Sequence, residues 1–154
     1  MEIRKATKKD LKDLIDLHIN LIKYLKKIKP SRYIINKKIV EKRRKKLMEW
    51  LKKKEAIIYV AEDKKIVGYG MGEVIDYPPF IEGKKFGELD EVYVLPEYRG
   101  KGIGKKLTNK VIEFLKKKKV DTMEGYVDTK NKLALKTWKE MGFKENLIVI
   151  TKKL

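Results

Sequence analysis

Apolar and polar positions along this chain recur with two periods, near 3.6 residues and two residues, and the switches between them mark out its elements. Glu2 to Ala6 reads as a short first strand. Thr7 follows as an N-cap, with Asp10 three residues on in a loose capping-box arrangement. Leu11, Leu14, Ile15, His18, Leu21, Ile22 and Leu25 fall at helical spacing, and Pro30 stands just beyond that helix. His18 sits within the apolar stripe, either packed at the core or lining a pocket. Asn36 is placed to cap a second helix through about Lys54, with Ile39, Val40, Leu47, Met48, Trp50 and Leu51 as its apolar positions. Its run Lys42, Arg43, Arg44, Lys45 and Lys46 reads as a solvated basic face, with anion binding as the alternative.

Residues 56–61 and 65–75 are strand-like runs around a hairpin turn at Glu62-Asp63-Lys64. Gly68, Gly70 and Gly72 share one face of the second run. Either that face packs under a helix, the strand twists there, or it leaves clearance for a bound molecule. Pro78 and Pro79 exclude a regular strand from Tyr77 to Phe86. Tyr77, Phe80, Ile81 and Phe86 make this an apolar loop expected to pack on the body, a ligand or a second subunit, which leaves a homodimer open. A strand from Leu89 to Leu95, a turn from Pro96 to Arg99 and alternating Gly100, Gly102 and Gly104 come next. The helix they open has the stripe Ile103, Leu107, Val111, Phe114 and Leu115, and Lys116 to Lys119 end it. Asp121 to Asp128 supplies a fifth strand. Asn131 begins a last helix with Leu133, Ala134, Thr137, Trp138 and Met141, stopped by Gly142. Phe143 to Thr151 is expected to return as one or two strands. The order βααβββαβαβ implies a single α/β domain over residues 1–154.

Composition sharpens the picture modestly. The chain has 154 residues, a formal net charge of +18 and no cysteine. Disulfides, thiolate metal sites and a cysteine nucleophile are therefore excluded. No apolar run approaches the roughly 18 residues of a membrane span and no signal peptide opens the chain, so a soluble cytoplasmic protein is expected. The charge invites a nucleic-acid reading. Against it, Lys is scattered through every segment, Arg is scarce, Gln is absent and Ser31 is the only serine, which fits a general compositional bias.

The chemistry concentrates between Glu88 and Phe114. A strand, a glycine turn and a helix N-terminus together make a phosphate cradle, because unpaired amides and the positive end of the helix dipole converge there. The nucleotide motifs fail on spacing. A Walker loop needs Gly where Arg99 stands and Ser or Thr where Lys106 stands. A GxGxxG pattern read from Gly100 needs Gly in place of Lys105, and read from Gly102 it fails as well.

What fits is Arg-x-x-Gly-x-Gly, from Arg99 through Gly102 to Gly104, set in LDEVYVLPEYRGKGIGKKL. Here the sequence resembles the GCN5-related N-acetyltransferases (GNAT). The later segment NKLALKTWKEMGF resembles that family's Asn-x-x-Ala block at Asn131, Ala134, Gly142 and Phe143, with Trp138 where a tyrosine is usual. The resemblance implies an acyl-CoA N-acyltransferase fold, a mixed sheet of six to seven strands with helices on both faces. It implies acetyl-CoA as cosubstrate, without a metal, and a small-molecule or protein amine as acceptor. The amides of Gly100, Lys101, Gly102, Ile103, Gly104 and Lys105, with Arg99, would hold the pyrophosphate. The backbone of Val92, Tyr93 and Val94 would pair with the pantetheine arm, and the Val92 amide would be the oxyanion donor. Asp90 and Glu91 are the candidate bases. Strict alternation puts Asp90 on the face of Val92 and Val94, while a bulge in the strand would reverse that parity. Asn131 either bonds the pantetheine arm or caps its helix. Trp138 cannot act as the usual tyrosine acid. It packs as a wall, or Tyr126, Tyr93 or water protonates the thiolate instead. Glu73, Glu88 and Glu124 are lesser acidic candidates. With no cysteine, the amine would attack directly in a ternary complex.

Overall fold

Strict alternation along residues 56–61 divides the molecule into two layers. In the computed structural model, which describes residues 1–76 and 85–152, Ile58 and Val60 enter one apolar cluster while Ile57 and Ala61 enter two others on the opposite face. The elements run β1 (Glu2–Lys5), α1 (Leu11–Ile28), α2 (Lys37–Trp50), β2 (Ala56–Asp63), β3 (Lys65–Ile75), β4 (Phe86–Val94), α3 (Ile103–Lys117), β5 (Thr122–Gly125) and α4 (Lys132–Glu140). The sheet order is β1-β2-β3-β4-β5, antiparallel as far as β4, with β4 and β5 parallel. This is the expected mixed α/β sheet.

Helices cover both faces. Leu14, Leu17 and Leu21 of α1 and Leu47 and Trp50 of α2 bury against Ile58, Val60, Tyr69, Met71 and Tyr93. Ile103, Leu107, Val111 and Leu115 of α3 fill the other face. The glycines of β3 belong to that second contact. A Cβ on Gly70 would lie 3.1 Å from Leu107 Cβ, and one on Gly72 would lie 2.6 Å from both Glu88 O and Val111 Cγ1. Of the readings open for these glycines, packing beneath a helix is the observed one.

Local signals are mostly realised. Asn36 Oδ1 accepts from Ile39 N at 2.9 Å and caps α2. The β2–β3 hairpin closes around Lys64, whose φ of 60° is left-handed. Asp10 accepts from the Thr7 amide at 2.7 Å and takes two bonds of 2.9 Å from Arg4. No helix among the described residues is long and apolar enough to cross a membrane.

Two expectations change. The fifth strand is only Thr122–Gly125, and residues 143–152 form no strand, so the described sheet has five strands rather than six or seven. Leu147, Ile148, Val149 and Ile150 stand exposed. A β-branched run fits a pleated surface but supplies no partner for its own backbone, and no described strand edge meets this one. The apolar loop expected from Tyr77 lies outside the described residues as far as position 84, while Phe86 opens β4.

Candidate active site

The site grows from a defect in β4. The β3–β4 ladder pairs Met71 with Glu91 but Gly72 with Leu89, so Asp90 is an extra residue in β4. Such a bulge turns two successive side chains to one side. Leu89 packs on the α3 face, while both Asp90 and Glu91 reach α2 on the other. The parity that alternation left open is thus decided by the bulge.

Beyond the bulge β4 has an edge that pairs with no strand among the described residues. Its pairing with β5 covers only Phe86–Leu89 against Thr122–Gly125, and the two strands then part. Leu95 N–H donates to Val67 O at 2.9 Å. Backbone groups of successive residues face opposite edges, so Tyr93 also faces β3, while Val92 and Val94 face the opening. Arg99 Nε reaches Val94 O there at 2.9 Å. Of the three residues expected to offer their backbone, Tyr93 therefore does not, because β3 occupies it. Its side chain is buried, and burial pushes its hydroxyl pKa up although Arg99 pulls the other way.

The glycine turn stands at the mouth of this opening. Gly100 and Gly102 have φ of 77° and 73°, a region that costs other residues about 1–2 kcal/mol. A Cβ on Gly104 would be 4.0 Å from Val92 Cγ1 and Val94 Cγ2, which sets the start of α3 over the side chains of Val92 and Val94. The first amide of α3 with a backbone partner is that of Lys106, on Gly102 O at 3.0 Å. Among the described residues, the amides of Gly100 through Lys105 have no hydrogen-bond partner. A Cβ on Gly100 or Gly102 would meet nothing within 4 Å, so the space in front of them is clear. A run of unpaired amides at a glycine turn and a helix N-terminus suits a multiply charged anion. The side chains here are already engaged. Arg99 lies over the rings of Tyr24 (4.9 Å) and Tyr93 (5.5 Å), Lys101 over Tyr98, and Lys105 bonds Glu140 of α4 at 2.7 Å.

On the α1–α2 side, Glu91 is the hub. Its Oε2 accepts from Arg43 Nη2 and Tyr69 OH at 2.5 Å each and lies 3.2 Å from His18 Nδ1. Burial alone would raise the Glu91 pKa, but His18, the Arg43 charge and Tyr69 outweigh it, and the net shift is downward. Tyr69, fully buried beside Glu91, has its hydroxyl pKa driven well up. Asp90 lies between Arg43 Nη1 (3.6 Å) and Lys46 Nζ (3.3 Å), and its Oδ2 is buried without a hydrogen-bond partner, as is Arg43 Nε. Glu88, across the ladders from Glu73 and Glu124, has a raised pKa from burial and then from the Asp90 charge.

The basic face expected on α2 holds for Lys42, Arg44 and Lys45, which are exposed, and is corrected for Arg43 and Lys46. Arg43 is only 7% exposed and Lys46 turns to Asp90. A signal was present, since Val40, Arg43, Leu47 and Trp50 follow helical spacing and put Arg43 on the apolar stripe. Tyr69 was likewise readable as the face of β3 opposite its glycines. Asn131 Oδ1 accepts from Ala134 N (3.3 Å) and Tyr24 OH (3.2 Å), so it caps α4 and ties it to α1. Trp138 covers Gly125, whose Cβ would lie 3.2 Å from its ring, and contacts Phe143 with centroids 5.7 Å apart. It is a wall of the α3 side. Tyr126, one of the alternatives for its missing hydroxyl, is largely exposed.

Comparison with known proteins agrees with this arrangement. The sequence profile of the Acetyltransferase (GNAT) family matches residues 22–143. The chain is 34% identical, over 96% of its length, to the uncharacterized N-acetyltransferase MJ1207 of Methanocaldococcus jannaschii, and it spans 62% of that relative. Its fold matches the crystal structure of a BH1408 tetramutant from Bacillus halodurans with a TM-score of 0.89, 22% identity and full coverage of both chains. It also matches the aminoglycoside N-acetyltransferase AAC(6')-Iy in complex with CoA, with a TM-score of 0.76 and 21% identity over 99% of this chain and 93% of that one.

Proposed function

Because the chain belongs to the acetyltransferase (GNAT) family, we propose that it transfers an acetyl group from acetyl-CoA to an amine, of a small molecule or a protein, by direct attack. The observation that carries this reading is the unpaired edge of β4 beside six unpartnered amides, both among the described residues. The amides of Gly100 to Lys105 bind the coenzyme pyrophosphate. The backbone of Val92 and Val94 pairs with the pantetheine arm as an added strand. Arg99 serves by closing the turn onto Val94 and Tyr24 rather than as a free cation. The Val92 amide faces the opening and stabilises the oxyanion of the tetrahedral intermediate, worth roughly 3 kcal/mol of barrier for one well-aimed donor. Asn131 and Trp138 contribute through the placement of α4.

The acceptor enters from the α1–α2 side, where Asp90 and Glu91 present carboxylates. Asp90 Oδ2, buried and short of a hydrogen-bond partner, supports a cationic amine, since a buried carboxylate oxygen demands a donor. AAC(6')-Iy is an aminoglycoside N-acetyltransferase, and that relation supports a small polyamine-like acceptor. With no cysteine in the sequence, no acetyl-cysteine intermediate forms and the ternary complex reacts directly.

The test pairs calorimetric titration of acetyl-CoA with thiol release over a panel of amines. Saturable 1:1 binding and amine-dependent release are expected. Binding without release on any amine would leave a coenzyme-binding module, and no binding would refute the cradle.

A further inference from the structure

The transfer proposed above requires the amine to give up a proton, and the carboxylates beside β4 are poorly suited to take it. Glu91 Oε2 already receives Arg43 and Tyr69, and Asp90 lies between Arg43 and Lys46. A carboxylate held by cations and donors is stabilised in its charged form and loses basicity. Of the groups around Glu91, Arg43 is a guanidinium, which donates hydrogen bonds and has no lone pair to accept a proton. Tyr69 is fully buried and spends its hydroxyl proton on Glu91. His18 is the one that remains.

The geometry sets its tautomer. An ionised carboxylate only accepts hydrogen bonds, so a neutral imidazole 3.2 Å away must carry its proton on Nδ1. The lone pair is then on Nε2, which has no hydrogen-bond partner among the described residues. The ring is 11% exposed, largely desolvated but not sealed. Glu91 directly precedes Val92, so the pair stands one residue from the amide that faces the opening.

We infer that His18 Nε2 is the base that takes the proton of the attacking amine, with Glu91 as the positioning residue that fixes the ring and balances its charge. The inference rests on the acetyl-transfer reading. The amine nitrogen forms a bond to the thioester carbonyl carbon, and its proton passes to Nε2. The carbon–sulfur bond breaks with its electron pair going to sulfur. The thiolate regains a proton from solvent while the imidazolium returns its own. The charged and titratable groups facing the ring are Glu91 of β4, Arg43 of α2 and Tyr69 of β3, with Asp90 and Lys46 behind Arg43. Asp90 is matched by Lys46 as well as Arg43, and Glu91 gives the imidazolium a carboxylate partner at 3.2 Å.

His18 is the only histidine in the sequence, so ring-¹⁵N spectra of the full chain contain a single imidazole. The neutral ring should show the Nδ1–H tautomer, and Glu91→Gln should abolish that preference. In thiol-release assays His18→Gln should lower kcat about 10²–10⁴-fold and remove the limb of the pH profile that the imidazole sets. Its acetyl-CoA affinity should stay within threefold of the parent. Glu91→Gln should retain the limb but displace it to lower pH. An Nε2–H tautomer in the parent, or a His18→Gln kcat within threefold of it, would overturn the inference. Absence of release by the parent on every amine would overturn acetyl transfer, and the base role with it. The tautomer, read without turnover, tells that failure apart from failure of the His18–Glu91 pairing.

Discussion

Replacing Arg43 with Met probes how the buried hub is held together. Arg43 is 7% exposed and faces Glu91 at 2.5 Å and Asp90 at 3.6 Å, two carboxylates whose side chains are each 18% exposed. Met retains most of the apolar stem but removes the charge from a site that cannot readily rehydrate. Breaking one side of a buried pair costs about 3–5 kcal/mol, because the remaining charge is stranded. For a chain of this size that corresponds to a loss of roughly 6–20 °C in Tm. The pH dependence identifies the cause. In the parent, Glu91 has a lowered pKa, so its contribution is present above the ordinary carboxylate range and is lost as pH falls. In Arg43→Met the pull of the guanidinium is lost while His18 and Tyr69 still hold Glu91, so its pKa moves up toward what burial favours, and the variant should regain part of its stability on acidification from pH 7 to 5. Urea unfolding at both pH values, with Glu91→Gln added to Arg43→Met, completes the cycle, and the double variant should recover most of the loss at pH 7. A loss below 1 kcal/mol, or an equal loss at both pH values, would refute the stranded-charge argument.

Three further outcomes are expected. Gly102→Ala should cost about 1–2 kcal/mol, since φ is 73°, and should also weaken acetyl-CoA binding in calorimetry; unchanged affinity would remove Gly102 from the cradle. Valine there would confound the test, because a β-branched residue resists that backbone region. Gly72→Ala places a Cβ 2.6 Å from Glu88 O and Val111 Cγ1, and should destabilise by about 1–3 kcal/mol in urea unfolding. Asp10, held at a pKa of about 2 chiefly by its hydrogen bonds from Arg4, stabilises the fold fully above about pH 4, and that contribution fades as pH falls through 2. Asp10→Asn should therefore cost about 2 kcal/mol at pH 7 and little at pH 2, with Arg4 still paired to Glu62 at 2.7 Å.

The sequence alone determined the elements and the donor side of the site. Hydrophobic period is a local property, so α1, α3 and the β2–β3 hairpin are visible in the order of residues. The glycine turn is equally local, because left-handed backbone and missing side chains must be written as glycine where they occur. Tertiary structure decided the acceptor side. Asp90 and Glu91 are adjacent residues, and only the ladder with β3 reveals that Asp90 is the inserted one. His18, Arg43 and Tyr69 lie 73, 48 and 22 positions from Glu91, and no spacing rule relates them. Arg43 looked like one cation in a basic run until α2 packed its stripe on the sheet. A charge's role depends on what lies across the interface, and the interface exists only once the helices are docked. The tail shows the converse limit. Leu147 to Ile150 has strand composition, yet a strand is completed by a neighbour's backbone, and its own sequence does not specify that neighbour.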